Sequence, residues 1–364
     1  MASNALKRVA GVLLAALVLG AAAVGQAQQS PSAIAQSQSP AVNPQEADLA
    51  RAQAAQQQKQ PLNNQPVWKE VRSGLPQTTS LPGRETNVLI QSQGQTWRAA
   101  RVTVSTALGL VIAGLVAVLF AYYFWRGTIE LHGRPTGRVI ERFSPARRFA
   151  HWAMGLTFVA LAITGLIITF GKSLLLPLIG ATLFSWLAAL AKSVHNFTGP
   201  VFSVALVIFI VMYVKDNLPK AHDVQWMLKF GGMLDRSGGS EVPSGKFNAG
   251  EKGLFWSLVV LASLVLVVTG YILNFPNFNQ TRETMQLANI VHMIAGLLAV
   301  AMACVHIYMG TVGMRGAYQA MRTGYVDETW AKEHHEYWYN DVMSGKVPRG
   351  SEPEPQALPQ GRAA

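Results

Sequence analysis

Five stretches of the chain contain no Lys, Arg, Asp or Glu over a length that can cross a membrane. They comprise residues 102–125, 149–171, 193–214, 253–281 and 284–314. An α-helix rises about 1.5 Å per residue, so about 20 apolar residues span the ~30 Å hydrocarbon layer of a bilayer. The pattern predicts an all-α membrane protein with five transmembrane helices, of which 102–125 is an extra N-terminal helix beside a four-helix core.

A sixth stretch, residues 173–191, is also uncharged and mostly apolar. It contains Pro177 and Gly180, and a span that ended at Lys192 would leave no room for a turn before the next helix. A further span here would also reverse the membrane side of every later basic loop. We therefore expect this stretch to be an interfacial or re-entrant helix on the periplasmic side.

The N-terminus has the plan of a secretory signal peptide. Lys7 and Arg8 precede an apolar run over residues 9–24, and small residues follow it. This predicts a signal peptide over residues 1–27, with an uncleaved membrane anchor as the alternative. Residues 28–66 are rich in Gln, Ala, Ser and Pro and offer little to bury, so we expect a disordered periplasmic segment.

The basic residues lie mainly in loops that five spans would place on one side of the membrane. The chain carries 30 Lys and Arg against 19 Asp and Glu, and the loop at 126–148 alone holds six Arg. Positive charge is enriched on cytoplasmic loops, so we expect a multi-pass protein of the bacterial inner membrane, with a periplasmic mature N-terminus, a cytoplasmic C-terminus and no nucleic-acid partner. The single cysteine, Cys304, excludes a disulfide framework, an iron–sulfur cluster and covalently attached c-type haem.

Four of the eight histidines lie in or at the ends of predicted spans: His151, His195, His292 and His306. An unpaired imidazole in lipid is costly, and for a single histidine a hydrogen bond across helices would suffice. His292 and His306 are 14 residues apart on one helix, so they share a face and differ in height by about 21 Å. Depth pairs His195 with His292 and His151 with His306, which predicts two haem b groups, each with its iron held by two histidines.

Glycine follows each of these histidines four positions later, at Gly155, Gly199, Gly296 and Gly310. Position i+4 lies on the same helix face, where a flat macrocycle leaves no space for a side chain. Membrane helices also use glycine for close helix packing. Glycine accounts for only 32 of the 364 residues, however, so four coincidences favour haem-packing positions.

Several segments resemble the gamma subunit, of the cytochrome b556 type, of respiratory membrane-bound formate dehydrogenase. They are RFSPARRFAHW at 142–152, the His195 segment, KFNAGEK at 246–252, the helix from His292 through His306 into Ile307-Tyr308-Met309, and WAKEHH at 330–335. The Arg-x-x-His-Trp start also occurs in other di-haem subunits, whereas the KFNAGEK loop combined with the 14-residue histidine spacing is more specific. The resemblance covers a predicted di-haem cytochrome b core at 137–342.

The resemblance implies an electron-transfer subunit that carries a quinone site but does not itself oxidise formate. Electrons from a catalytic alpha subunit, which contains molybdenum or tungsten, would pass through an iron–sulfur beta subunit to the periplasmic haem. They would then cross to the cytoplasmic haem and reduce menaquinone or ubiquinone. The resemblance places Asn248, the Gly250 backbone and His306 around the quinone, although Asn248 is also a candidate helix N-cap. It also makes a trimer of heterotrimers plausible.

The chain departs from the shorter members of that family by its signal peptide, its Gln-rich segment and its first span. Residues 67–101, which are periplasmic in this topology, are a candidate contact for the iron–sulfur subunit, with a surface hairpin as the alternative. Residues 343–364 are predicted to form a flexible cytoplasmic tail.

Two other functions stay open at this point. The cytochrome b subunits of nickel–iron hydrogenase and of thiosulfate or tetrathionate reductase share the di-haem core and differ in their electron donor. A haem-free membrane transporter or anchor would instead use the histidines for protons or metal ions. The KFNAGEK loop favours formate as the donor, and the histidine–glycine spacing favours haem.

Overall fold

The computed structural model of the protein describes residues 92–232, 242–278 and 280–350, together with Ala55. The predicted signal peptide, nearly all of the Gln-rich segment and residues 67–91 of the predicted partner-contact segment lie outside these residues. The remainder of that contact segment is helical and continues directly into the first span.

The chain is mainly helical, and five helical segments are long and apolar enough to cross a membrane. The elements are, in chain order, α1 (Ser92–Arg126), β1 (Val139–Glu141), α2 (Pro145–Leu174), α3 (Leu176–Tyr213), α4 (His222–Leu228), a 3₁₀ turn (Phe230–Gly232), α5 (Ala249–Leu254), a π-helical stretch (Phe255–Ala262), α6 (Ser263–Asn274), α7 (Arg282–Tyr308), a second π-helical stretch (Met309–Gly313), α8 (Ala317–Arg322), β2 (Tyr325–Asp327), α9 (Glu328–His334) and α10 (Glu336–Met343). The predicted class, an all-α membrane protein, is confirmed.

The stretch at 173–191 differs from the expectation of a separate interfacial helix. Residues 173–174 end α2, and residues 176–191 form the first part of α3, which continues through Lys192 without a turn. Pro177 lies in the first turn of α3, where its missing N–H needs no intrahelical acceptor. Gly180 has φ 76° and ψ 169°, a left-handed backbone that glycine adopts without a steric penalty, and it kinks the helix there. The segment therefore adds length to the third span and leaves the count at five.

The core is a bundle in which α2 packs along α3 and α6 packs along α7. Further contacts of α3 with α6 and of α7 with α2 close the bundle. The extra helix α1 packs on the outside of α7. Near its start, Trp97 Nε1 donates to the Gln286 carbonyl at 3.0 Å and Arg101 Nε donates to Asn289 Oδ1 at 3.1 Å. The predicted four-helix core with one additional N-terminal helix is therefore confirmed.

One end of the bundle is covered by the segments before α2 and after α7, and we call it the capped end. β1 and β2 pair antiparallel there, with Ile140 opposite Val326. Ile140, Val326 and Trp330 are almost fully buried in a core that also includes residues of α2 and α3. The Glu141 N–H donates to the Arg349 carbonyl at 3.3 Å, so the first residues of the predicted flexible tail lie against β1. Residues 351–364 of that tail lie outside the described chain.

A buried ion pair joins α4 to α5 at the capped end. Lys252 Nζ lies 2.7 Å and 2.9 Å from the two carboxylate oxygens of Asp223. Their side chains are only 5% and 12% exposed. Removing one partner of a buried pair leaves the other charge uncompensated in a low-dielectric environment. The pair therefore holds α4 against the start of the fourth span.

Replacing Lys252 by Met is expected to destabilise the protein, because the Asp223 carboxylate would remain buried without its cation, at a cost of about 3–5 kcal/mol. The measurement is the midpoint of heat-induced loss of helical circular dichroism in detergent-purified protein. Arg315→Met is the matched control, since it breaks a pair with Glu130 whose side chains are 66% and 54% exposed. Exposed pairs contribute little, so equal midpoints for the two variants would contradict the assignment.

Candidate haem sites

The structure brings the four membrane histidines together as two pairs. His195 of α3 faces His292 of α7, and we call this pair site 1. His151 of α2 faces His306 of α7, and we call this pair site 2. The ring centroids are 6.1 Å apart in each pair. The pairing by depth expected from the sequence is the pairing that the helices produce.

The equal separation in the two pairs fits an iron atom between the rings. Metal–imidazole bonds are about 2 Å long, so an iron bound by two ring nitrogens holds the ring centres roughly 6 Å apart. Rings in direct contact would have closer centroids. A hydrogen bond between ring nitrogens would not require the same centroid distance in both pairs. Both pairs therefore have the spacing of axial ligands.

The glycines that follow the histidines leave room beside the rings. A Cβ added at Gly155, Gly199 or Gly310 would meet no other atom within 4 Å, and one at Gly296 would meet only Leu266 at 3.7 Å. Gly199 and Gly296 line one cavity together with both histidines of site 1. This cavity can accept a flat ring system, so the residues present fit a haem group.

Two threonines that the sequence analysis did not identify contact the histidines of site 1. Thr164 Oγ1 on α2 lies 2.9 Å from His195 Nδ1. Thr269 Oγ1 on α6 lies 2.9 Å from His292 Nδ1. Ligating histidines commonly bond a second group through the nitrogen that does not bind metal. The contacts leave Nε2 of both rings available to a metal.

A glycine after each threonine allows the histidine to approach the neighbouring helix. A Cβ at Gly165 would lie 3.4 Å from His195 Cε1, and one at Gly270 would lie 3.3 Å from His292 Cε1. The sequence signal for these positions is the dipeptide Thr-Gly, which occurs in both the second and the fourth span. A repeated dipeptide in helices adjacent to the histidine helices could have been recognised without the structure.

Two cations line the cavity of site 1, Arg101 of α1 and Lys192 of α3. The hydrogen bond from Arg101 to Asn289 uses only the Nε–H of its guanidinium. The remaining N–H groups suit a carboxylate, such as a haem propionate. Arg101 belongs to the extra helix, so this helix contributes directly to the wall of the candidate site.

Histidines outside the spans have structural partners. His335 is fully buried, and its Nδ1 lies 2.8 Å from the Gly245 carbonyl. Burial, with a smaller contribution from the nearby Arg142 guanidinium, holds the pKa of His335 well below its usual range. The ring is therefore neutral at physiological pH and donates to that carbonyl. His132 is half exposed and lies beside Glu333.

The residues that the sequence associates with quinone lie at the capped end, where Asn248 begins α5. Asn248 Oδ1 accepts from the Glu251 N–H at 2.9 Å, and Glu251 Oε2 accepts from the Asn248 N–H at 2.9 Å. This capping box fulfils the expected N-cap role. The Asn248 side-chain amide N–H groups take no part in it. Trp226 covers the α-carbon of Gly250, where an added Cβ would lie 2.8 Å from the indole.

Comparison with protein-family models matches residues 142–324 to prokaryotic cytochrome b561. This segment is half of the chain and includes both histidine pairs. The chain belongs to the prokaryotic cytochrome b561 family. A cytochrome b carries haem b, so haem b is the cofactor expected at the paired histidines of this membrane cytochrome.

The curated relatives of this cytochrome include three bacterial proteins. The cytochrome b556(Fdn) subunit of the nitrate-inducible formate dehydrogenase of Escherichia coli K12 is 29% identical over 223 residues, which is 59% of this chain and 97% of that protein. The formate dehydrogenase cytochrome b556 subunit of Haemophilus influenzae is 28% identical, covering 58% of this chain and 86% of its own length. The cytochrome b556(fdo) subunit of E. coli K12 formate dehydrogenase is also 28% identical, over 56% and 93% of the two chains.

Replacing Gly199 by Leu is expected to remove the haem of site 1, because the side chain would occupy the cavity beside His195. The haem b content of purified cytochrome, measured as its pyridine haemochrome, should fall to about half of the wild-type value. Gly114→Leu is the control, since Gly114 is exposed on α1 and a Cβ there also meets no atom within 4 Å. Retention of the full haem content in Gly199→Leu would contradict the placement of haem at site 1.

Proposed function

We propose that this cytochrome is the membrane-anchoring gamma subunit of a bacterial formate dehydrogenase complex, in which two haem b groups carry electrons across the inner membrane to quinone. The observation that carries the proposal is the presence of two histidine pairs with the same ring spacing, whose α7 members are 14 residues apart. The relatives are each named as a formate dehydrogenase subunit and align over nearly their whole lengths. This supports formate as the source of the electrons.

The orientation follows from the distribution of basic residues. The capped end, which includes site 2, carries the loop at 126–148 with its six Arg, and further lysines lie between α3 and α5. The opposite end, which includes site 1, carries few. Positive loops stay in the cytoplasm, so site 2 is cytoplasmic and site 1 periplasmic. The mature N-terminus is then periplasmic and the C-terminus cytoplasmic.

The protein's own residues have distinct tasks in this scheme. The histidines of both sites would hold the irons, at site 1 through Nε2, and fix the depth of the cofactors in the bundle. Arg101 and Lys192 would neutralise negative charge on the ligand at the periplasmic site. The large apolar side chains that the bundle leaves exposed, such as Phe120 and Phe197, would contact lipid.

The quinone site lies beside site 2 in this proposal. The Asn248 amide and the Gly250 N–H in the first turn of α5 are donors for a quinone carbonyl, since first-turn N–H groups have no intrahelical acceptor. Both α5 and site 2 belong to the capped end of the bundle, which supports this placement. Menaquinone and ubiquinone both present such carbonyls. Protons for quinone reduction come from the cytoplasm, so the reaction is electrogenic.

The electron donor is an iron–sulfur beta subunit, itself reduced by a molybdenum- or tungsten-containing alpha subunit. Site 1 is the point of entry because it lies at the periplasmic end. The segment proposed to contact the beta subunit comprises residues 67–101, whose described part forms the start of α1 at that end. A trimer of such heterotrimers is the proposed assembly in the membrane.

Replacing His306 by Ala is expected to remove the haem of site 2, since one axial ligand is lost, and to stop quinone reduction. In the purified native complex formate should still reduce the haem of site 1. The measurement is the reduced-minus-oxidised spectrum after addition of formate, with haem content and quinone reduction assayed in parallel. Wild-type haem content and spectrum in His306→Ala would contradict the ligand assignment.

His132→Ala is the control for this experiment, because His132 lies in a loop outside the spans and is half exposed. The subunits that co-purify with the wild-type chain decide the donor independently of the haem count. If hydrogen or thiosulfate reduced the wild-type haems and formate did not, the chain would be assigned to one of the alternative complexes instead of formate dehydrogenase.

Replacing Asn248 by Asp separates capping from quinone binding. Aspartate caps a helix as well as asparagine does but has no amide N–H, so the thermal midpoint should stay unchanged. If the Asn248 amide donates to the quinone, the KM for quinone should rise about tenfold, the expected loss for one hydrogen bond, while haem content stays constant. Asn248→Ala should lower the thermal midpoint as well. An unchanged KM in Asn248→Asp would leave Asn248 with the capping role alone.

A further inference from the structure

The threonine hydroxyls at site 1 donate their protons to backbone carbonyls. Thr164 Oγ1 donates to the Ala160 carbonyl at 2.7 Å, and Thr269 Oγ1 donates to the Val265 carbonyl at 2.6 Å. These are the shortest hydrogen bonds that each hydroxyl makes. A hydroxyl has one proton to donate, so each oxygen must accept from the histidine nitrogen 2.9 Å away.

This arrangement sets the tautomer of both rings at site 1. Nδ1 carries the proton and Nε2 carries the lone pair, which is the form that binds iron. An acceptor beside each Nδ1 disfavours the opposite tautomer, in which Nδ1 would present a lone pair to that oxygen.

Site 2 lacks this arrangement at its histidine on α2. Nδ1 of His151 is buried and has no hydrogen-bond partner among the described residues. The two sites therefore match in ring spacing and differ in the groups behind the rings.

We infer that Thr164 and Thr269 are positioning residues that lower the reduction potential of the haem at site 1. The inference rests on the proposed function, in which both sites hold haem. An acceptor on Nδ1–H increases the electron donation of the imidazole to the iron. Stronger donation stabilises the ferric state more than the ferrous state, which lowers the potential. A lower potential at site 1 favours one-electron transfer from site 1 to site 2.

The test is the double variant Thr164→Val, Thr269→Val, in which an isosteric side chain removes both acceptors. Valine retains the volume of threonine, so the helix packing is preserved. Redox titration of the purified complex, followed at the haem absorption bands, should show one of the two midpoint potentials raised. We expect about a tenfold change in the equilibrium constant for reduction, equivalent to about 59 mV for a one-electron couple. The other potential should stay in place.

Two further variants distinguish an effect on the reduction potential from structural damage. Thr164→Ser with Thr269→Ser retains the hydroxyls and should restore the wild-type potential. Thr157→Val is the matched control, because Thr157 on α2 makes the same kind of bond, to the Ala153 carbonyl at 2.8 Å, and has no histidine partner among the described residues. If the double Val variant loses haem, the two single variants are titrated instead, each with half of the expected shift.

The outcomes distinguish this inference from the proposed function. A wild-type complex without two haems per chain contradicts both. With both haems present, an unchanged potential in the Val variants, or equal shifts of both potentials, overturns the inference and leaves the proposed function intact. A shift in Thr157→Val as large as that in the double variant overturns it as well.

Discussion

An unpaired imidazole inside a membrane is costly, and the arrangement of this bundle follows from the pairing of its histidines. α7 presents two histidines 14 residues apart, so the helices that carry the other two must lie against it or close to it. The packing of α2 along α3 and of α6 along α7 then brings Thr164 and Thr269 to the rings of site 1. The packing of the helices and the pairing of the histidines therefore depend on the same contacts.

The capped end buries a charged side chain, which also requires partners. Arg142 is 4% exposed, but it donates to the Lys246 carbonyl and to the Glu251 carboxylate, and aromatic rings surround its guanidinium. A buried charge is tolerated when it is paired with an opposite charge and hydrogen-bonded in this way. Because the same Glu251 closes the capping box with Asn248, the contacts of Arg142 also fix the start of α5 beside site 2.

Much of this architecture could be predicted from the sequence, because charge-free runs of the right length and a 14-residue histidine spacing have few physical solutions in a bilayer. The path of the chain at Gly180 could not, since an uncharged stretch with a proline is compatible with a separate helix or an extended one. The histidine pairs followed from helical geometry, whereas their threonine partners depend on the rotation of neighbouring helices. The fold of the capped end required long-range contacts, such as Ile140 with Val326, that no local pattern indicates.

In the proposed function the two sites share a cofactor type as well as a ring spacing, so any difference between them must come from the protein around them. At site 1 threonine hydroxyls lie behind the rings, and the cations Arg101 and Lys192 line the cavity. These act in opposite directions, because an acceptor behind an imidazole favours ferric iron and a nearby cation favours the more negative reduced state. One of the cations comes from α1, a helix outside the four-helix core. α1 therefore contributes to the balance of charge at site 1, where electrons enter in the proposed scheme.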